Sequence, residues 1–476
     1  MVNHGTHASR RTLRAFVALA IVLTGCDQLF DIKAQTLTAD AARDAAHGDA
    51  ARSLDATHAS PSDAGDASDA RDASTSLRDA GRDAADSSDA RRSPDAERDA
   101  TQDGPQTAPA DASLEDAAVV AAISTGSLFA CALLAGGSVS CWGYNASGQL
   151  GNGTTSNSAS PTAVVTLGGN ATAITLGNQH ACALFSSTGT VACWGNDAMG
   201  QLGDGMVASS EVPKVVAGIA GATAIAAGEF HTCAVVAGGA VSCWGSDQYG
   251  QLGNGAATAS SPPVMVKGVS NVTALAAGGR TTCAIANGAL KCWGNNLSGQ
   301  VGSGALTDGG VLAPVDVIDV AGATAVSVGA DHVCAVLPGG AVKCWGYNAF
   351  GEVGNGTTAT TATPQPVDSL TAGAQEVAAG YFHTCAVVAQ GSIKCWGYND
   401  RGELGDGVTT QYTFPQPVVG LTGASAIAAG DDDTCALVGG SVWCWGDNRV
   451  GQVGDGLLGN SATLDGGVLT PVRVKW

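Results

Sequence analysis

Between Ala118 and Trp476 the tripeptide Cys-Trp-Gly recurs seven times, with tryptophans at Trp142, Trp194, Trp244, Trp293, Trp345, Trp396 and Trp445. The preceding cysteines are spaced 49 to 52 residues apart. A fixed period of that length marks one supersecondary unit copied many times, each copy burying its apolar face only against its neighbours. The unit starting at Ala222 shows what is copied. It has an Ala-rich strand through Ala224-Ile225-Ala226-Ala227, a second through His231-Thr232-Cys233-Ala234-Val235-Val236, a Gly-Gly turn and a third through Val241-Ser242-Cys243-Trp244. A turn-rich segment, Gly250-Gln251-Leu252-Gly253, then leads to a short strand at Pro263-Val264-Met265-Val266. Four strands, seven times, specify an all-β chain: a seven-bladed β-propeller over residues 118–476.

Innermost propeller strands converge on the axis, where only small residues fit, which accounts for the recurring Ala171-Thr172-Ala173-Ile174, Ala222-Thr223-Ala224-Ile225 and Ala424-Ser425-Ala426-Ile427. The first unit opens at its Ala-rich strand while the chain closes on Pro471-Val472-Arg473-Val474. This tail is expected to complete the first blade and lock the ring.

Two other zones precede the repeats. Residues 1–26 read as a lipoprotein signal peptide: Arg10, Arg11 and Arg14 precede an apolar stretch, Ala15 to Leu23, too short to span a bilayer. The stretch ends at Leu23-Thr24-Gly25-Cys26, which resembles the bacterial lipobox and implies lipidation at Cys26. Residues 27–117 cycle through Arg-Asp-Ala and Ser-Asp-Ala with few large apolar groups, and are expected to be a disordered acidic tether with a reach of about 50 Å. Its aspartates lack the spacing of a calcium loop. The expected location is the bacterial envelope, at the outer membrane or cell surface rather than the inner membrane.

The net charge of −20 is shared by tether and repeats. The ten bases of the repeat zone are scattered, which excludes a nucleic-acid surface built on clustered Lys and Arg.

Cys26 aside, the fourteen remaining cysteines fall two to a unit. Counting outward from the Asn287-Gly288 turn sets Cys283 opposite Cys292, at a position where the strands approach closely enough for a disulfide. Cys435 and Cys444 behave alike, and Cys131 with Cys141, Cys182 with Cys193, Cys233 with Cys243, Cys334 with Cys344 and Cys385 with Cys395 need only slightly longer turns. In an oxidising compartment each blade is expected to carry one disulfide. One hairpin pair supplies half a tetrahedral zinc site, so no metal is expected.

Gly-x-x-His-Thr-Cys-Ala, Cys-Trp-Gly-Tyr-Asn and Gly-Gln-Leu-Gly-Asn-Gly resemble the repeats of the regulator of chromosome condensation family, whose members are seven-bladed propellers. The resemblance spans residues 118–476. Known members include a guanine-nucleotide exchange factor and a secreted bacterial inhibitor of β-lactamases, so the fold alone does not choose a function. The even unit spacing leaves no room for a protruding exchange wedge, which makes exchange activity the weaker alternative.

The histidines of the repeats, His180, His231, His332 and His383, each stand two residues before a strand cysteine, where other units carry Phe129, Thr281 and Asp433. A position that accepts such different groups reads as structural rather than as a catalytic base. Hydrolase, metalloprotease and phosphate-loop motifs do not occur, so neither an enzyme nor a cofactor is expected. The second alternative is a propeller enzyme or small-ligand binder.

Binding has a better candidate. After the glycine five residues before each first cysteine, two residues share one geometric position but differ in chemistry: Ser127-Leu128, Asn178-Gln179, Glu229-Phe230, Gly279-Arg280, Ala330-Asp331, Tyr381-Phe382 and Asp431-Asp432. They are expected to form a rosette on one face, with Phe230, Tyr381 and Phe382 as aromatic anchors and Arg280, Asp431 and Asp432 orienting a partner at the rim. Tyr347 and Tyr398, just after Trp-Gly, make a second candidate patch. The expected partner is a protein of the envelope or extracellular space, bound by a monomer held at the membrane only through its lipid.

Overall fold

Each alternating run of small and branched residues in the repeat forms a strand, and each Gly-rich interval turns the chain back. In blade 1 the strands are Val120–Thr125, Phe129–Leu134, Val139–Gly143 and Ser158–Ala163, paired antiparallel in chain order. The same order repeats in six further four-stranded sheets, which we number as blades 2 to 7 along the chain. The computed structural model of the protein describes residues 119–307, 309–459 and 466–476. The export segment, Cys26 and the acidic tether expected from the sequence lie outside them.

The seven innermost strands pack in succession, and Val120–Thr125 meets Ala424–Ala429, closing a seven-bladed ring. The core lies between blades rather than within one. Cys131, Cys141 and Leu150 of blade 1, for example, pack on Ile174, Leu176 and Trp194 of blade 2.

Closure differs from the sequence expectation. The last strand, Gly467–Arg473, pairs with Ser441–Asp447 in its own blade, and blade 1 takes its fourth strand from Ser158–Ala163. The Pro-containing strand belongs to the end of each unit, so seven units contain seven such strands and none is spare. The seam is held by contacts instead of a shared sheet: Val120 N donates to Gly440 O at 3.1 Å, and the Trp142 indole donates to Gln452 O at 2.9 Å.

That last bond explains the two strongest motifs of the repeat. Every Cys-Trp-Gly indole donates to the backbone carbonyl of the second residue of Gly-Gln-Leu-Gly in the preceding blade: Trp194 to Gln149, Trp244 to Gln201, Trp293 to Gln251, Trp345 to Gln300, Trp396 to Glu352 and Trp445 to Glu403, all at 2.8 or 2.9 Å. All seven tryptophans are fully buried, so truncating one to alanine would cost about 3–5 kcal/mol. The last glycine of the motif is required by the same contact. Gly151 has φ 65°, and a Cβ there would lie 2.7 Å from the Trp194 ring nitrogen.

The register of the central strands places every cysteine pair face to face. Seven disulfides result, Cys131–Cys141, Cys182–Cys193, Cys233–Cys243, Cys283–Cys292, Cys334–Cys344, Cys385–Cys395 and Cys435–Cys444. Their Cα separations of 4.0–4.1 Å belong to the closer type of antiparallel pair.

Candidate protein-binding face

Two loops per blade, between strands one and two and between strands three and four, emerge at the same end of the sheet. The second rosette residue accepts a backbone hydrogen bond from the residue after Trp-Gly in every blade. Tyr144 N to Leu128 O, Tyr347 N to Asp331 O and Tyr398 N to Phe382 O, at 2.8–2.9 Å, are three of these seven bonds. The two patches read separately from the sequence are therefore one surface. Backbone bonds also link neighbouring rosette loops around the axis, as from Glu229 N to Gly279 O at 2.8 Å and Tyr381 N to Gly430 O at 3.0 Å.

Crowding at the axis corrects part of the expected site. Asp431 and Asp432 are 3% and 2% exposed, so they do not project at a rim. The Ser127 hydroxyl donates to Asp431 across the seam. Arg280 does reach the face, but its Nε is 3.1 Å from Glu229 and its guanidinium lies 5.4 Å from the Tyr249 ring centre. Arg280 and Glu229, with Asp331, Asn295 and Tyr381, line a cavity of about 190 Å³. Burial raises the Asp331 carboxyl above its ordinary range, while Arg280 and hydrogen bonds from Asn295 and Gln300 oppose the shift.

The aromatic anchors divide. Phe382 stands in a half-exposed cluster with its ring centre 4.0 Å from Tyr381, 5.0 Å from Phe350, 6.0 Å from Tyr347 and 6.1 Å from Tyr398. Phe350 also lies 5.1 Å from Tyr398. Phe230, in blade 3, takes part in none of the ring pairs among the described residues. Phe350 is the functional candidate that the rosette positions miss. It stands just before the Gly-x-x-Gly turn, where other blades carry Ser147, Met199, Tyr249, Ser298, Arg401 and Val450. That variability in a fixed frame was the available signal.

The histidines are structural. Each ring is fully buried, and its Nε2 meets a threonine Oγ1 of the next blade at 2.8–2.9 Å: His180 with Thr232, His231 with Thr282, His332 with Thr384 and His383 with Thr434. Each threonine donates onward to a backbone carbonyl, so Nε2 carries the proton and the imidazole is neutral. Desolvation pushes these histidines down to about 3. Asp433 occupies the same position in blade 7 opposite Ala130. Burial first, then the charge of Asp431, holds its carboxyl well above the ordinary range. Among the described residues no group of three His, Cys, Asp or Glu is arranged to hold a metal ion.

Comparison with known proteins decides the family. The RCC1-like domain matches residues 78–377, well over half of the chain. The protein belongs to the RCC1-like family. Shorter matches to the regulator of chromosome condensation (RCC1) repeat cover residues 374–403 and 390–437 of this RCC1-like chain. Its relatives include the ultraviolet-B receptor UVR8 of Arabidopsis thaliana, 31% identical over 66% of this chain and 62% of that protein. They also include the human E3 ubiquitin-protein ligase HERC2, 29% identical over 64% of this chain and 7% of the ligase. The RCC1-like chain thus spans less than two thirds of either relative. Solved structures with the same fold include human WBSCR16, with TM-score 0.60 and 25% identity over 66% of this chain and 86% of that one. Yeast RCC1 (Prp20) bound to Kap60 has TM-score 0.62 and 20% identity, over 71% of this chain and 83% of that one.

Proposed function

We propose that this RCC1-like propeller is a non-catalytic protein-binding module whose partner docks on the loop face, and that a lipid on Cys26 and the segment 27–117 display it on a bacterial envelope. RCC1 propellers bind proteins, as yeast RCC1 does in complex with Kap60. The observation that carries the reading is the joining of Tyr347, Phe350, Tyr381, Phe382 and Tyr398 into one half-exposed patch on rigid, mutually bonded loops. Aromatic groups clustered at the centre of a preorganised surface are the usual anchors of protein association. The histidines, the natural candidates for acid–base work, are neutral, buried and engaged between blades. A guanine-nucleotide exchange role draws support from the family alone.

Affinity capture with the parent and a Phe350→Ala, Phe382→Ala variant tests the binding face. A specific envelope or extracellular partner is expected with the parent and is lost with the variant at unchanged thermal stability. A partner held equally by both moves the site elsewhere. Membrane fractionation of Cys26→Ser tests display: the variant is expected in the soluble fraction, and retention in the membrane contradicts lipid anchoring.

A further inference from the structure

We propose that the aromatic patch of blades 5 and 6 receives a cationic side chain, a lysine or arginine of the partner protein, with Glu352 and Glu403 supplying countercharge from beneath the rings. The inference rests on the protein-binding reading and adds the chemistry of the partner.

It starts from one position of the repeat. The second residue of Gly-x-x-Gly is glutamine in five blades, Gln149, Gln201, Gln251, Gln300 and Gln452, and glutamate only in the two aromatic blades. The fold uses its backbone carbonyl for the next tryptophan and one side-chain oxygen for the N–H two residues earlier. That oxygen is equally available from either residue type: Met199 N donates to Gln201 Oε1 at 2.8 Å, and Phe350 N to Glu352 Oε2 at 3.0 Å. Only the remaining atom distinguishes them. In Gln201, Gln251, Gln300 and Gln452 the amide nitrogen donates to a neighbouring face residue at 2.7–3.3 Å. The fifth glutamine, Gln149, leaves its amide nitrogen unpartnered. In Glu352 and Glu403 both side chains are fully buried and the remaining oxygen, Oε1, likewise has no hydrogen-bond partner, so what sets these two blades apart is an ionisable group at that atom.

Neither carboxyl is demanded by its surroundings. Gln149 stands in the same setting beside Tyr144, so a neighbouring tyrosine accepts glutamine. A buried carboxyl with an unused oxygen is costly, and in two adjacent blades the fold gains nothing from it. Burial pushes Glu352 up to about 8 and, with the charge of Asp432, holds Glu403 well above its usual range. Near neutral pH both are therefore held mostly as neutral acids, and an incoming cation would favour their ionisation, the two protons leaving to solvent and the carboxylates then supplying the countercharge.

The surroundings fit that ligand. Glu352 lies close enough to Tyr347, and Glu403 to Tyr398, for an ionised carboxyl to be felt at the ring. Between those tyrosines, Phe350 and Phe382 stand 5.0 Å apart. Aromatic faces attract cations, and a low-dielectric site strengthens the attraction. Asp331 lies beside Tyr347, and Asp400 and Asp432 beside Tyr398. The basic side chains nearby are turned to other carboxylates. Arg401 and Arg449 reach Asp447 at 3.8 and 2.9 Å, and Arg280 reaches Glu229 at 3.1 Å. The net charge of −20 favours approach of a basic partner.

The test is fluorescence anisotropy with labelled decalysine at about physiological salt, where long-range attraction is screened, using the full chain. Glu352→Gln, Glu403→Gln installs the residue the other blades carry, and a thermal melt checks its fold. Asp319→Asn, Asp368→Asn removes the same number of carboxyls from exposed turns at the opposite end of the strands. The expected result is a loss of about tenfold or more in affinity for the glutamate variant and for Phe382→Ala, with the aspartate variant within about twofold of the parent. No binding by the parent, no loss in the glutamate variant, or an equal loss in the aspartate variant overturns the inference. If the native partner is then still lost by Phe350→Ala, Phe382→Ala, the binding face stands and only its cation specificity falls.

Discussion

The Nε2 of His231 in blade 3 lies 2.8 Å from the Thr282 hydroxyl in blade 4. Across the whole ring, histidine occurs at this position only where the following blade has threonine at its facing position. Phe129 is followed by Ala181, Thr281 by Val333 and Asp433 by Ala130. The pair is thus a unit of the blade interface. A double-mutant cycle with His231→Phe and Thr282→Ala, the combination blades 1 and 2 already use, is expected to show a coupling of about 1 kcal/mol in chemical denaturation. Strict additivity would contradict it.

This pairing was present in the sequence but hidden, because the two residues stand 51 apart and become neighbours only when one blade is laid on the next. Features set within one unit were more legible. The strands, the Ala-rich inner ring and the cysteine register all follow from turn length and alternation. Two errors came from relations between units. Whether the outer strand begins or ends a unit decides which blade the tail completes, and crowding at the axis, which spacing along the chain does not reveal, buries Asp431 and Asp432. Phe350 was missed since its ring joins Phe382 of another blade.

At the seam no peptide linker holds blade 7 to blade 1, so the Trp142 to Gln452 bond acts where other blade junctions also have chain continuity. Trp142→Phe and Trp244→Phe each remove one indole hydrogen bond and are expected to cost about 1–3 kcal/mol. Only Trp142→Phe is expected to speed hydrogen exchange selectively in blades 1 and 7. Equal patterns for both variants would show that the seam is no weaker than the rest.

Burial, with the charge of Asp204 as a lesser cause, raises Asp197 to about 6 against the opposing backbone hydrogen bonds from Leu202 and Ala208. Because the folded state holds this proton more tightly than the unfolded chain, stability falls as pH rises through about 4 to 6 and stays reduced above it. Asp197→Asn supplies the residue found at Asn145 and Asn348. It is expected to stabilise the protein by about 1–2 kcal/mol near pH 8 and by nothing near pH 4. A gain independent of pH would contradict this.

Peptide mapping without reduction is expected to return seven local pairs, separated by 9 to 11 residues. Replacing one pair, Cys233→Ala with Cys243→Ala, is expected to cost about 2–3 kcal/mol by the loop-closure argument. Free thiols at these positions in protein isolated without reductant would contradict the pairing.

The most direct test of the binding face is site-specific photocrosslinking in cells, with p-benzoylphenylalanine placed at Phe382 on the loop face or at Asp368 at the opposite end of the strands. The account predicts a discrete protein adduct from position 382 and none from position 368. Adducts from position 368 alone would contradict it.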